Sequence, residues 1–278
     1  MKADWQRKID GDESEDELWS LFHENSKSRR WDTPLPNREV IPRLMELWDA
    51  LPYEGYERVD LPTDLAPLAG AVQSAILERR TPRAISAGSM TLAQLATLLH
   101  CAYGVTGGNE DGSFPRPFRA VPSAGALYPL ELYFHAANVE GLAAALYHFN
   151  PALRSASLLR PGDSSRQIAT ALAQPALAID TAALVFITAI FERAVFKYGN
   201  RGYRFTLLEA GHVAQNLNVA ATALGLGCVN IGAFTDQEID DFLGLDGMTH
   251  ATLYLVSIGQ AASEAEEAAE PSQSPGES

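Results

Sequence analysis

The sequence predicts an α+β domain, and three observations carry that expectation. The run Ala182–Phe191, AALVFITAIF, is apolar, rich in β-formers and interrupted only by Thr188, as a strand covered on both faces requires. The segment from Phe205 to Leu224 is the longest helical candidate, Ala- and Leu-rich nearly all round, so it is expected to be buried. Strand candidates and capped helix candidates are interspersed along the chain rather than repeated at a fixed period.

Taken in order, Leu44, Leu47, Trp48 and Leu51 fall at helical spacing. Residues 52–70 hold Pro52, Gly55, Pro62, Pro67 and Gly70 and read as a connecting segment. A helix from about Ala71 to Glu78 follows, stopped by Pro82. Thr91 and Gln94 form a capping box that opens a helix with Leu92, Leu95, Leu98, Leu99 and Ala102 on one face, and Gly104 ends it. The Gly-, Pro- and Ser-rich loop VTGGNEDGSFPRPFRAVPSAGALYP is long enough to be functional. It leads into the strand candidate ELYFHAA, and ALYHF beyond the Glu140-Gly141 turn makes a hairpin plausible. After the central run, GCVNIGAF and ATLYLVSIG read as strands. Between them, Thr235 and Glu238 form a second expected capping box opening a helix to Leu243.

Composition narrows the function. The chain has 278 residues, 46% hydrophobic and 20% charged, with a formal net charge of -14. That balance supports a sizeable core and argues against a general nucleic-acid binder, which needs basic surface. No apolar run approaches the roughly 20 residues of a membrane span, and the N-terminus lacks the apolar stretch of a secretory signal. Two distant cysteines, Cys101 and Cys228, form neither a disulfide framework nor a zinc pattern, so free thiols and a cytoplasmic location are expected. Residues 1–15 and 261–278 are acidic and poor in aromatics, the tail holding five Glu, and both ends are expected to be disordered.

Four constellations could carry chemistry. Arg79, Arg80, Thr81 and Arg83 offer donors suited to a phosphate, or simply form a solvated basic face. Ser123, Ala124 and Gly125 let backbone approach a flat ligand, or make an ordinary turn into a strand. Lys197 and Tyr198, followed by Arg201 and Arg204, could tune one another as a base, or sit in a surface loop. Glu209, His212, Gln215 and Asn216 interrupt an apolar helix; Glu209 and His212 read best as a buried hydrogen-bonded pair, since two ligands are too few for a metal. There is no Gly-rich dinucleotide fingerprint, Walker loop or nucleophile elbow, so NTPase and hydrolase readings fall away.

The order of these signals is more telling than any one of them. ERRTPR, PSAGALYPLELY, YRFTLLEAGHVAQNLNVAATALGLG and NIGAF, in that sequence, resemble the nitroreductase superfamily of flavoproteins. FHENSKSR, LYHFNPALRSASLLRPGD and FKYGNRGYRFTLLEAGH narrow the resemblance to the SagB-type dehydrogenases, which include azoline oxidases of thiazole and oxazole peptide biosynthesis. The likeness runs from about Phe22 to Gly259.

The resemblance implies a nitroreductase-like fold with a central mixed β-sheet flanked by helices, a homodimer, and FMN bound at its interface. Residues 16–70 would be the family's N-terminal segment and 71–260 the FMN-binding domain. Arg79, Arg80, Thr81 and Arg83 would contact the FMN phosphate, ribityl chain and ring edge. Ser123, Ala124 and Gly125 would lie against the ring, Asn216 would reach it from the long helix, and Ile231 and Gly232 would present backbone to it. Lys197 and Tyr198 match the family's catalytic pair. Many relatives close the phosphate site with a C-terminal cation, but GQAASEAEEAAE carries none, leaving Arg201 or Arg204 as substitutes. The implied substrate is an azoline-containing peptide, free or carrier-bound, supplied by a separate cyclodehydratase or carrier protein, with dioxygen taking the electrons. An NAD(P)H-dependent nitro- or quinone reductase and a non-catalytic scaffold subunit remain as alternatives.

Overall fold

The computed structural model describes residues 22, 37–46, 50–64, 72–86, 88–108 and 116–261. The expected N-terminal disorder, most of the FHENSKSR signature and the tail from residue 262 lie outside the described residues.

Helix α1 spans Asn37–Glu46. Strand β1, Arg58–Asp60, follows, then helix α2, Val72–Glu78. Two short strands come next, β2 at Ile85–Ser86 and β3 at Met90–Thr91. Helix α3, Leu92–Tyr103, opens on the expected capping box: Gln94 N–H donates to the Thr91 hydroxyl and the Gln94 side chain accepts from Thr91 N–H. Strands β4, Val105–Gly107, and β5, Phe118–Arg119, lie within the stretch read as one long loop, and a single 3₁₀ turn covers Ala124–Ala126. Strands β6, Leu130–Ala136, β7, Val139–Glu140, β8, Ala145–Asn150, and β9, Ser155–Pro161, come next. Helices α4, Ser165–Ala169, and α5, Ala176–Ile179, lead to strand β10, Ala183–Ile190. Helix α6, Glu192–Tyr198, and the 24-residue α7, Asn200–Ala223, precede β11, Gly227–Ile231, α8, Asp236–Leu243, and β12, His250–Ala261.

The principal sheet runs β1-β9-β8-β6-β10-β12-β11, with β2 also pairing to β12. Side chains alternate across it with the two-residue period of a strand. From β6 and β10, Leu132, Phe134, Val185 and Ile187 join α3 and α7 in one core, while Tyr133, Leu184 and Phe186 join α4, α5 and α8 in the other. The domain is therefore three layers, helix, sheet and helix, and β10 is an interior strand, paired on both sides and covered on both faces as its apolar run requires.

Several expectations are corrected. All pairs in the principal sheet are antiparallel, not mixed, because β6, β8 and β9 are successive antiparallel neighbours and β10 and β12 continue the alternation. The parallel ladder that does occur, Met90 with Val139, lies outside it. Thr235 makes no side-chain capping bond, although α8 starts where expected and ends on left-handed Gly244. Ala261 belongs to β12, paired with Ile85, rather than to the tail. β1 and β9 lie in segments read without strands; their short or small, polar sequences give little alternation to detect. Helix α7 buries one face, while Leu207 and Leu208 are exposed on another. No helix among the described residues is long and apolar enough to cross a membrane.

Candidate active site

Lys197 and Tyr198 occupy the last turn of α6, which ends at Gly199 with φ 55°. Their tips meet at Gly125: a Cβ built there would lie 2.7 Å from Tyr198 Oη and 2.9 Å from Lys197 Nζ. Lys197 Nζ stands 5.3 Å from the centroid of the Tyr198 ring, which is braced edge-on by Phe205. The fold thus joins two stretches more than seventy residues apart in sequence, the titratable pair and the small-residue loop.

That loop is backbone under constraint. Gly125, Ala126 and Tyr128 have φ of 64°, 52° and 47°, a left-handed conformation that non-glycine residues adopt only when held. Arg116 does part of the holding, donating to the carbonyls of Ala126 and Leu127 at 3.1 and 3.0 Å. Tyr128 N–H donates to Ser123 Oγ at 2.9 Å, closing the turn from within. Beneath it, Glu209 of α7 is buried and accepts hydrogen bonds from Tyr103 at 2.8 Å and from Ser123. Burial pushes the Glu209 carboxyl up to about 7, against the downward pull of those hydrogen bonds and of Arg119. Arg119 packs its guanidinium over Tyr103 and Tyr128, 4.4 and 4.8 Å from the ring centroids.

Ser123, Gly125, Ala126 and Tyr128 line an open cleft that adjoins a second one, lined by Cys101, Asn216 and Val219, through the shared residues Arg119 and Ala120. Asn216 Nδ2 donates to Cys101 O at 3.0 Å and Ala120 O at 3.4 Å. A separate cleft brings Thr81 and Arg83 to Ile231 and Gly232, with Arg79 close enough to influence the Cys228 thiol at the start of β11. Arg80 turns back instead, donating to the carbonyls of Leu77 and Arg79 and so closing the end of α2.

The expected site residues therefore fall into two groups whose clefts share no lining residue within one chain. Lys197, Tyr198, Ser123, Ala124, Gly125 and Asn216 form one, and Thr81, Arg83, Ile231 and Gly232 the other. Arg201 and Arg204, half-buried in the first turns of α7, stand at the opposite end of that helix from β11, roughly 30 Å along its axis at 1.5 Å per residue. Within one chain they do not join the Arg79–Arg83 cluster. His212 is exposed and is not the partner of Glu209, which points inward to Tyr103 and Ser123 instead.

Composition and motif reading passed over a buried ion triad behind the pair. Arg193 donates to Glu131 Oε1 at 2.6 Å, and His148 Nε2 lies 2.7 Å from Glu131 Oε2. Burial pushes the Glu131 carboxyl up, but Arg193, His148 and Arg119 together bring it down to about 2. The charge of Glu131 within the otherwise apolar start of a strand was the available signal.

A model of the nitroreductase family matches residues 76–260. A nitroreductase-type protein of Methanocaldococcus jannaschii is 39% identical over 173 residues, 62% of this chain and 83% of that protein. The microcin B17-processing protein McbC of Escherichia coli is 34% identical over 166 residues, 54% of this chain and 56% of McbC. Among solved structures, a nitroreductase-type protein of Anabaena variabilis superposes with a TM-score of 0.68 at 22% identity, over 88% of this chain and 47% of that one. A chain of the E. coli microcin synthetase McbBCD complex with truncated pro-MccB17 bound gives 0.56 at 22% identity, over 88% of this chain and 92% of that one. The chain thus spans little more than half of McbC and about half of the Anabaena protein, and the two superpositions speak to fold alone. The family model covers most of the described domain, including all three clefts and the α6 pair, and the chain belongs to the nitroreductase family.

Proposed function

We propose that this protein is an FMN-dependent dehydrogenase that oxidises azolines, thiazoline or oxazoline, to azoles on a peptide or carrier-bound substrate. The observation that carries the reading is the seating of Lys197 and Tyr198 against Gly125. A nitro- or quinone reductase has no substrate C–H proton to remove and no use for such a pair at its ring-binding loop. The relationship to McbC, a microcin B17-processing protein, favours a peptide substrate and a peptide-processing setting.

The residues present suit FMN. Gly125 and exposed Gly232 leave backbone open to a flat ring, and Thr81 and Arg83 beside Gly232 offer the donors a phosphate tail requires. Held by these residues, FMN would supply a two-electron acceptor for the hydride, with dioxygen as the terminal electron acceptor. Lys197 takes the proton from the azoline ring carbon, and Tyr198 orients it; loss of that proton and a hydride leaves the aromatic azole. The separation of the two groups of residues on one chain supports a homodimer in which a second copy would complete each FMN site. The exposed Val72, Ile76 and Leu77 on α2, with Leu207 and Leu208 on the helix it packs against, supply apolar surface for it. The protein would work in the cytoplasm, where its free thiols stay reduced.

The second reading, an NAD(P)H-dependent nitro- or quinone reductase, is favoured by the likeness to the Methanocaldococcus protein. One experiment separates them. The purified protein is loaded with FMN and given a thiazoline peptide, or a nitroaromatic with NADPH. Loss of two mass units from the peptide, reduced at least ~100-fold in Lys197→Ala and less in Tyr198→Phe, supports the oxidase. A wild type that ignores azolines and reduces the nitroaromatic as fast as both variants makes it a reductase. A protein that takes up no FMN ends both readings.

A further inference from the structure

The small-residue loop is tied down at both ends by one buried side chain. Glu209 lies on the inward face of α7 at 3% exposure, among Ala210, Val213 and Leu217. The Ser123 hydroxyl donates to it, while Ser123 Oγ itself accepts from Tyr128 N–H at 2.9 Å. Tyr103 also donates to it, while Tyr103 Oη accepts from Leu130 N–H at 3.2 Å. The loop from residue 123 to residue 130 is thus fastened at its first residue through Ser123 and at its last through Tyr103, and both fastenings converge on the same carboxyl group. Between them lie the three left-handed residues Gly125, Ala126 and Tyr128.

We infer that Glu209 is a positioning residue: through Ser123 and Tyr103 it holds the Ser123–Gly125 loop at the height where Gly125 meets Lys197 and Tyr198. The inference rests on the reading of that loop as flavin-bearing. Two features favour positioning over plain packing. An apolar side chain would fill the space in this Ala- and Leu-rich helix without the cost of burying a carboxyl group, a cost visible in the rise of Glu209 to about 7. The Ser123 hydroxyl hydrogen is committed inward to Glu209, so Ser123 meets a ligand through its backbone and the rigidity of its turn rather than through a donated hydroxyl.

The test compares FMN affinity, by quenching of flavin fluorescence, and the visible spectrum of bound flavin in Glu209→Leu, Glu209→Gln, Ser123→Ala and the double variant Ser123→Ala/Glu209→Leu. Glu209→Leu and Ser123→Ala should each weaken FMN about tenfold or more and shift its visible bands. The double variant should be no worse than the poorer single one, because both cut the same link. Glu209→Gln, which keeps a hydrogen-bonding group of the same shape, should stay within about threefold of wild type. Melting temperatures without FMN identify a variant that has not folded. If Glu209→Leu does not fold, a wild-type-like flavin site in Ser123→Ala overturns the inference and a weakened, shifted one supports it. Additive losses in the double variant, or a Glu209→Leu protein with unchanged affinity and spectrum, overturn it while wild-type FMN binding leaves the parent reading standing. A wild type that binds no FMN removes the parent reading itself.

Discussion

Arg193 on α6 reaches Glu131 on β6 at 2.6 Å, with both side chains buried, and Lys197 lies one helical turn further along α6. The ion pair, completed by His148 from β8, is what joins the helix bearing the titratable pair to the strand that leaves the small-residue loop. Replacing Arg193 by Ala strands a carboxylate that is 2% exposed. Breaking one partner of a buried pair costs about 3–5 kcal/mol, so Arg193→Ala should lower the denaturation midpoint by that equivalent. Adding Glu131→Gln should recover part of the loss, and a single variant as stable as wild type contradicts the role given to the pair.

Gly125→Ala is the local test of the meeting point. A left-handed alanine costs about 1–2 kcal/mol, and the new methyl would press on Tyr198 Oη and Lys197 Nζ. Both are ends of movable side chains, so the fold should survive and the pair should be displaced. Melting temperature should fall by a few degrees, while azoline turnover falls at least tenfold, since small misplacements of reacting groups cost rate steeply. Turnover equal to wild type in a folded variant would show that the contact has no catalytic consequence.

What the sequence could disclose followed from local rules. The Thr91–Gln94 box, the strand at 183–190 and the stop at Gly104 are written in adjacent residues, and the structure places each where those residues require. The antiparallel order of the principal sheet, the inward partners of Glu209 and the Glu131–Arg193–His148 triad are set by tertiary neighbours 62 and 106 residues apart in the cases of Arg193–Glu131 and Tyr103–Glu209. Helical spacing paired Glu209 with His212, but the helix turns the first inward and the second to solvent. Thr235 shows the limit of a motif: residue types match a capping box while its side chain makes no capping bond. The meeting of Lys197 and Tyr198 with Gly125 was not read from the sequence: the resemblance gave the loop and the pair separate roles, and nothing in the spacing brings residue 125 to residue 197.

The exposed leucines of α7 make assembly testable by a single charge. Leu208 is 57% exposed and Leu207 40%. If a second copy covers them, Leu208→Glu buries an unpaired carboxylate at the interface and should shift sedimentation toward a ~30 kDa species at micromolar concentration, with FMN lost in parallel. Sedimentation of wild type as a monomer would contradict the two-chain flavin site outright.

Two of the buried carboxyl groups, Glu209 and Glu131, should bend the pH dependence of stability in opposite directions. Glu209 is pushed from its ordinary 4.5 to about 7 by burial. Between those values the folded chain holds a proton that the unfolded chain has released. Its contribution is therefore complete below pH 4.5, declines as pH rises toward 7 and is gone above it, with roughly 3 kcal/mol as the upper bound. Glu131 is held near 2 because Arg193, His148 and Arg119 outweigh its burial, so its contribution is complete above 4.5 and is lost as pH falls toward 2. Urea midpoints for wild type, Glu209→Gln and Glu131→Gln at pH 3, 4.5, 6 and 8 read both limbs. Glu209→Gln cannot ionise, so its stability relative to wild type should rise between pH 4.5 and 8 and stay level between 3 and 4.5. Glu131→Gln should be most destabilised near neutrality, and its deficit should narrow as the acid limb is entered. If the Glu209→Gln difference is the same at pH 4.5 and pH 8, the carboxyl group titrates alike in the folded and unfolded chains and its burial does not raise it.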